Sequence, residues 1–302
     1  MSTNDQNSMA DATVSAFASF ANRYEKGTGG ATREIARKLM SMSPTSTNNS
    51  KILDNATGTG IVIEEIQNHI SSANPSNDIR IPVIAADAAQ PMIDNLNAKL
   101  KHAQDNSAWP NLSPVTTHTV PAENLDSAVV PDDSITHAYM NFGIFFCKDP
   151  NLAASHIYRS LTPGGTALIT SWHLLGYLDP IRKTHKTLYP SEPTITMPFS
   201  EQWEDPSYVK ALLVKAGFDE GKVQVTQQDT SMRYASLKEA AAMFTEMFTT
   251  MLLGPKGWES PEARNDFQER LAENFKGSGN YSDDGMDGVR VRMVANIAAC
   301  TK

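Results

Sequence analysis

The chain has 302 residues, a formal net charge of −8 and 40% hydrophobic residues, enough for one large domain or two small ones with proper cores. The acidic balance, with no cluster of Lys and Arg, argues against a nucleic-acid surface. Two cysteines, Cys147 and Cys300, argue against a disulfide framework or thiolate metal site, and no apolar run reaches transmembrane length.

Residues 1–11 are polar and lack an apolar signal core, so a cytoplasmic protein is expected. Residues 14–20 and 31–40 have helical patterns, joined by the loop Glu25-Lys-Gly-Thr-Gly-Gly30. Residues 43–50, rich in Ser, Thr, Asn and Pro, form a loop into the first strand, which ends at Ile52 and Leu53. The chain then breaks into Asp54-Asn-Ala-Thr-Gly-Thr-Gly60, and a helix opens at Ile61. A strand, a Gly-x-Gly turn and a helix form a nucleoside-ligand cradle in an open parallel sheet. Ile63 stands where a dinucleotide fingerprint needs its third glycine, and no Gly-Lys-Ser/Thr follows, which excludes a P-loop. Asp54 would repel a phosphate but suits a ligand carrying positive charge.

Residues 81–87 are a second strand ending in Asp87, placed either to accept ribose hydroxyls or to cap the helix beginning near Ala88. Residues 115–120 predict a third strand, followed by Pro121-Ala-Glu-Asn-Leu125. Residues 134–142 predict a fourth, in which His137 reads as a core residue. A helix over residues 152–161 runs through Thr162-Pro-Gly-Gly165, read as a turn, into a fifth strand over residues 166–172. His173 follows it, open to a role as general base or as a surface-loop residue. Residues 188–199 are proline-rich and irregular, and residues 205–218 read as a helix. Residues 223–226 begin a sixth strand, and a closing seventh lies within residues 289–297. The insertion between them, residues 236–281, opens with a helix placing Met243, Met247 and Met251 near one stripe, with Phe244 and Phe248 beside them. That face either packs on the sheet or lines a pliable pocket for an apolar, ring-bearing substrate.

The ordered series formed by Asp54 to Gly60, Asp87-Ala-Ala-Gln-Pro-Met92, Ala122-Glu123 and Arg159-Ser-Leu-Thr-Pro-Gly-Gly165 resembles the class I S-adenosylmethionine-dependent methyltransferases. The resemblance implies an α/β fold: a Rossmann-like, seven-stranded, mostly parallel sheet with helices on both faces. It further implies one domain over residues 1–302, comprising an N-terminal helical lid (1–45), a cofactor-binding core (46–180) and a substrate-side half (181–302) with the helical insertion near 236–281. S-adenosylmethionine would contact Asp54, Asn55, Ala56, Thr57, Gly58, Gly60, Asp87, Ala88, Met92, Ala122, Glu123, Asn141 and Phe142, with Tyr24 and Thr28 from the lid. Met92 would pack on the adenine, unless it is plain core.

Asn141-Phe-Gly-Ile144 should face the transferable methyl and differs from the Asn-Pro-Pro-Tyr pattern of base and amide N-methyltransferases. Asn141 and His173 are the candidate catalytic residues; Trp172, Met243, Met247 and Phe248 are the candidate substrate pocket. Within the superfamily, Leu53 to Gly60, Thr136-His137 and Ser171-Trp172 look most like fungal secondary-metabolite methyltransferases of the gliotoxin type, which are dithiol S-methyltransferases. Thr57 departs from a common Cys there. The expected function is methyl transfer to S, O or N of an apolar small molecule, by a monomer or homodimer without metal. A cofactor-binding protein that transfers no methyl, pericyclase-like or regulatory, is the alternative; Ile63 and Asp54 count against a third, an NAD-dependent oxidoreductase.

Overall fold

The computed structural model describes residues 24–74, 76, 78–249 and 257–302; the helix expected at 14–20 and Met251 lie outside them. The chain runs through α1 (Tyr24–Gly27), α2 (Ala31–Met42), β1 (Ile52–Asn55), α3 (Ile61–Ala73), β2 (Ile81–Asp87), α4 (Gln90–Asp105) and β3 (Leu112–Thr119). It continues through β4 (Ile135–Met140), α5 (Pro150–Ser160), β5 (Leu161–Leu175), α6 (Leu178–Leu188), α7 (Pro206–Lys215) and β6 (Val223–Tyr234). The last elements are α8 (Leu237–Phe248), α9 (Pro261–Lys276), β7 (Tyr281–Asp283) and β8 (Val289–Thr301).

These strands form one sheet in the order β3-β2-β1-β4-β5-β8-β6. From β3 to β5 every pairing is parallel, while β8 runs antiparallel to both β5 and β6. The sheet is thus the mostly parallel, helix-covered one the sequence predicts. The eighth strand, β7, lies inside the insertion and pairs with β8 where β5 has ended at Leu175. Strand order reverses between β1 and β4, and ligands of open α/β sheets bind in the crevice at such a switch point.

All four residues of β1 are buried, as a strand covered on both faces requires. Alanines at 85, 86, 138 and 167 are nearly inaccessible, and their small side chains let the covering layers come close to the sheet. Helix starts follow local chemistry. Asp149 Oδ1 accepts the Leu152 N–H at 3.0 Å and Pro150 opens α5; Asp205 and Ser260 cap α7 and α9 in the same way.

The expected turn at Thr162-Pro-Gly-Gly165 is a bulge within β5 instead. Leu161 already pairs with Ile135, and the register shifts before Thr166 meets His137. Because α5 ends at Ser160 and β5 begins at Leu161, no residue is left for a free turn, and the extra residues are absorbed by the strand. Arg159, from the same motif, binds Asp132 at 2.6 Å and the carbonyls of Val130 and Leu125, pinning the loop that follows β3. His137 is a core residue, its imidazole tied to the Pro44 carbonyl at 3.2 Å.

The insertion folds on itself. Phe248 stacks on Phe267 with centroids 4.7 Å apart and touches Trp258, while Phe244 meets Tyr177, Tyr234 and Phe275. Phe248 is therefore core between α8 and α9, not a pocket residue, because apolar rings on two adjoining helices are best satisfied by each other. Met243 and Met247 are half-buried at the margin of that core.

Candidate active site

The loop after β1 is shaped by its backbone. Thr57 N–H donates to the Ala86 carbonyl at 2.9 Å, tying the loop to β2, and Thr57 Oγ1 donates to Asp54 Oδ2 at 2.5 Å. Ala56, with φ +59°, holds a conformation that costs a side-chain-bearing residue about 1–2 kcal/mol. Phe142 in the loop after β4 does the same, with φ +58°. The two loops meet where a Cβ on Gly143 would stand 2.4 Å from Ala56 Cβ, so only glycine fits there. Strain stored at two facing turns is a mark of a functional site.

Between these loops opens a cleft of about 370 Å³. Its floor carries Ala56, Gly58 and Asp87; Ala88, Ala89 and Met92 form one wall; Ala122, Glu123 and the loop from Asn141 to Lys148 form the other. Tyr24 of α1 closes over it, packing on Ala89 and Met92. A Cβ added at Gly58 would meet nothing within 4 Å, so the missing side chain leaves open cleft.

Asp87 is the polar centre. Its Oδ2 accepts the Gly58 N–H at 2.8 Å and its Oδ1 the Ala89 N–H at 2.9 Å. Of the two roles open to it from sequence, the structure shows the brace on the turn into α4, and each oxygen retains a lone pair. Burial raises its pKa despite these two N–H donors. Asp54 lies behind it, fully buried, its Oδ1 without a hydrogen-bond partner among the described residues. Burial pushes Asp54 up to about 7, against the Thr57 hydrogen bond and with help from the charge of Asp87. Two adjacent buried carboxyls make the site electronegative.

Asn141, Phe142 and Thr170 form a chain across the sheet end. Phe142 N–H donates to Thr170 Oγ1 at 2.8 Å, Thr170 donates to Asn141 Oδ1 at 3.0 Å, and Asn141 Nδ2 donates to the Thr32 carbonyl of α2 at 3.1 Å. Asn141 is thereby spent on architecture as well as lining the cleft. Trp172 stacks flat behind Phe142, centroids 3.8 Å apart, and backs the pocket rather than lining it. Glu123 Oε1 accepts the Lys148 N–H at 3.1 Å, joining the two segments of that wall.

Ten of the residues expected at the cofactor line the cleft: Tyr24, Ala56, Gly58, Asp87, Ala88, Met92, Ala122, Glu123, Asn141 and Phe142. Asp54, Asn55, Thr57 and Gly60 lie beneath it as support, and Gly60 packs its bare Cα beside Leu96. Thr28 turns away from the cleft to bond the Glu25 carbonyl and Thr32.

His173 is a correction. Its Nδ1 donates to the Glu204 carbonyl at 2.6 Å and it does not line the cleft, because a bulge between Trp172 and Leu174 redirects it toward the loop before α7. Met243, Met247 and Phe248 do not reach the cleft either. Sequence reading missed Phe146, Cys147 and Lys148, which line the cleft. Their signal was the aromatic pair Phe145-Phe146 in a segment with no strand or helix period. Burial first, then the charge of Glu123, lifts the Cys147 thiol far above its ordinary value, which disfavours the thiolate.

Comparison with known proteins agrees with this geometry. Residues 53–169 match the family described as Methyltransferase domain. The chain is 23% identical over 194 residues to the methyltransferase tpcH of Aspergillus fumigatus, covering 63% of this chain and 64% of that protein. It is 23% identical over 193 residues to the acetylaranotin bis-thiomethyltransferase of Aspergillus terreus, covering 62% and 61%. The matched segments thus span under two thirds of each relative. Among solved structures, the YcgJ protein of Bacillus subtilis superposes with a TM-score of 0.52 at 13% identity, covering 89% of this chain and 98% of that one. A Bacillus halodurans protein gives 0.50 at 16% identity, covering 88% and 98%. These two likenesses speak to the fold alone. The stretch that supplies most of the cleft, residues 53–169, is the part of the chain that matches a methyltransferase domain.

Proposed function

We propose that the chain transfers the methyl group of S-adenosylmethionine to a sulfur, oxygen or nitrogen atom of an apolar small molecule, and does so chiefly by positioning. The carrying observation is Asp87, held by two backbone N–H groups at the cleft with lone pairs to spare, beside the buried, half-unpartnered Asp54. A carboxylate with two free lone pairs suits a vicinal diol, and an electronegative floor suits a cation. Met92, Ala89 and Tyr24 offer an apolar slot for a flat ring. These residues fit an adenosine bearing a sulfonium.

Bound there, the cofactor supplies a methyl group already electrophilic. What remains for the protein is to hold an acceptor in line at near-attack distance and to exclude water. No histidine lines the cleft among the described residues. A thiol acceptor needs little more than a lowered pKa, whereas an alcohol needs a general base. Thiols are therefore the first acceptors to try, and the similarity to a bis-thiomethyltransferase favours the same choice. On this reading residues 1–302 act as one catalytic unit in the cytoplasm, as monomer or homodimer, on a small-molecule substrate rather than nucleic acid or membrane.

The test is calorimetric titration with S-adenosylhomocysteine, followed by incubation with labelled cofactor and a panel of thiols, phenols and amines. Micromolar binding and label in a thiol product are expected; absence of binding by the wild type removes the proposal. Binding without label in any product would favour a cofactor-binding protein that transfers no methyl, the reading to which the position of His173 lends weight.

A further inference from the structure

Tyr24, which closes the cleft, belongs to a four-residue helical turn, too short to hold itself. One end of that turn is fastened to the far edge of the sheet. Tyr234 Oη donates to the Gly27 carbonyl at 2.9 Å, and Arg233 N–H to the Gly29 carbonyl at 2.9 Å. The end that carries Tyr24 is fastened differently. Arg33 of α2 donates from Nε to Glu25 at 2.5 Å, from Nη1 to Glu65 at 2.7 Å and from Nη2 to Glu64 at 2.5 Å. Glu64 and Glu65 occupy the first turn and a half of α3, directly after the cradle loop ends at Gly60. One guanidinium thus joins the residue beside Tyr24 to the helix that springs from the cofactor loop.

The cluster is balanced and directional. Arg37 also binds Glu65 at 3.0 Å and Lys99 binds Glu64 at 2.6 Å, so three cations face three carboxylates. Glu64 and Glu65 each keep a second cation without Arg33. Among the described residues, Glu25 is ion-paired to Arg33 alone. Docking of α2 does not need the cluster, because Ile35, Ala36, Leu39 and Met40 are already buried against α3 and the sheet. Partly buried ion clusters add little net stability, while a guanidinium's rigid fork fixes geometry in a way an ammonium cannot.

We propose that Arg33 is a positioning residue for the methyl-transfer site: through Glu25 on one side and Glu64 and Glu65 on the other, it holds Tyr24 across the cofactor cleft. The proposal rests on reading that cleft as the cofactor site. It differs from a stabilising role in what it controls, namely the rate at which the nucleoside leaves.

Stopped-flow release of S-adenosylhomocysteine from the full chain is the test. Glu25→Gln leaves Arg33 on Glu64 and Glu65 and weakens only the Tyr24 end, replacing a charge-assisted hydrogen bond by a neutral one; Arg33→Lys keeps the charge and removes the fork. Each is expected to speed release about tenfold, the scale of one charge-assisted hydrogen bond, with an unchanged thermal midpoint. Arg37→Gln, on the exposed side of the cluster, should release at the wild-type rate. In a Tyr24→Ala background the Glu25→Gln effect should vanish. Wild-type release from Glu25→Gln, or penalties of Glu25→Gln and Tyr24→Ala that simply add, would overturn the clamp while leaving the cofactor site intact. A wild type that binds no S-adenosylhomocysteine would overturn both.

Discussion

The crevice side of the sheet and the inserted helices treat side chains in opposite ways. Around β1, buried polar atoms have no hydrogen-bond partner among the described residues: Asp54 Oδ1, both polar atoms of Asn55, and Thr59 Oγ1. In α8 and α9, large rings are matched with one another, Phe248 with Phe267 and Phe244 with Phe275. An unpartnered buried polar group costs roughly 1–3 kcal/mol, so the first region carries a stability cost beneath the cleft. In the second the rings are matched with one another, and Thr245 Oγ1 is the buried polar atom of α8 and α9 that lacks a partner among the described residues. The cleft and the ring-packed core are therefore housed in different parts of the molecule, one at the sheet's crevice and one in the inserted helices.

The contrast can be broken most forcefully at Phe248. Phe248→Ala should lower unfolding free energy by about 3–5 kcal/mol in urea, while affinity for S-adenosylhomocysteine, measured well below the midpoint, stays within twofold. A large loss of affinity would mean that the insertion does contribute to the cleft.

Next is Asp87→Ala, expected to weaken S-adenosylhomocysteine binding by about a hundredfold in calorimetry, because both the diol acceptors and the brace on Gly58 and Ala89 are lost. An affinity within threefold of wild type would place the nucleoside elsewhere.

The buried carboxyl of Asp54 makes a pH prediction. Its folded pKa, about 7, lies above its ordinary value of 3.8. The stability it contributes to the ligand-free protein is therefore complete below about pH 4 and is lost as pH rises through 7. A cationic ligand favours the ionised form, so S-adenosylmethionine binding near pH 6 should release protons, seen as an enthalpy that changes with the ionisation enthalpy of the buffer. A buffer-independent enthalpy would separate Asp54 from the ligand's charge.

The smallest effect is expected at His173. His173→Ala should remove one hydrogen bond to the Glu204 carbonyl, about 1 kcal/mol in denaturation, and leave label transfer within twofold. A hundredfold loss of transfer would restore it as a base.

Much of the cofactor half was legible in sequence because its residues answer local demands. Gly58 and Asp87 sit where a strand ends and a helix must begin, and the chain there has few other solutions. The Arg159 motif was legible for the same reason, though its Pro-Gly-Gly proved to be a bulge in β5 and not a turn. Phe146, Cys147 and Lys148 were not legible, since a loop without period does not announce which residues turn inward.

The amino-acid order alone determined the strands and helices of the parallel sheet and the acids that border the glycine loop, because strand periods, turn glycines and helix starts are properties of neighbouring residues. Tertiary structure alone decided that Phe248 is core, that His173 faces Glu204, and that Arg33 reaches Glu25, Glu64 and Glu65 together. Those outcomes depend on partners brought together from distant parts of the chain, and side-chain type does not specify a partner until packing has chosen one.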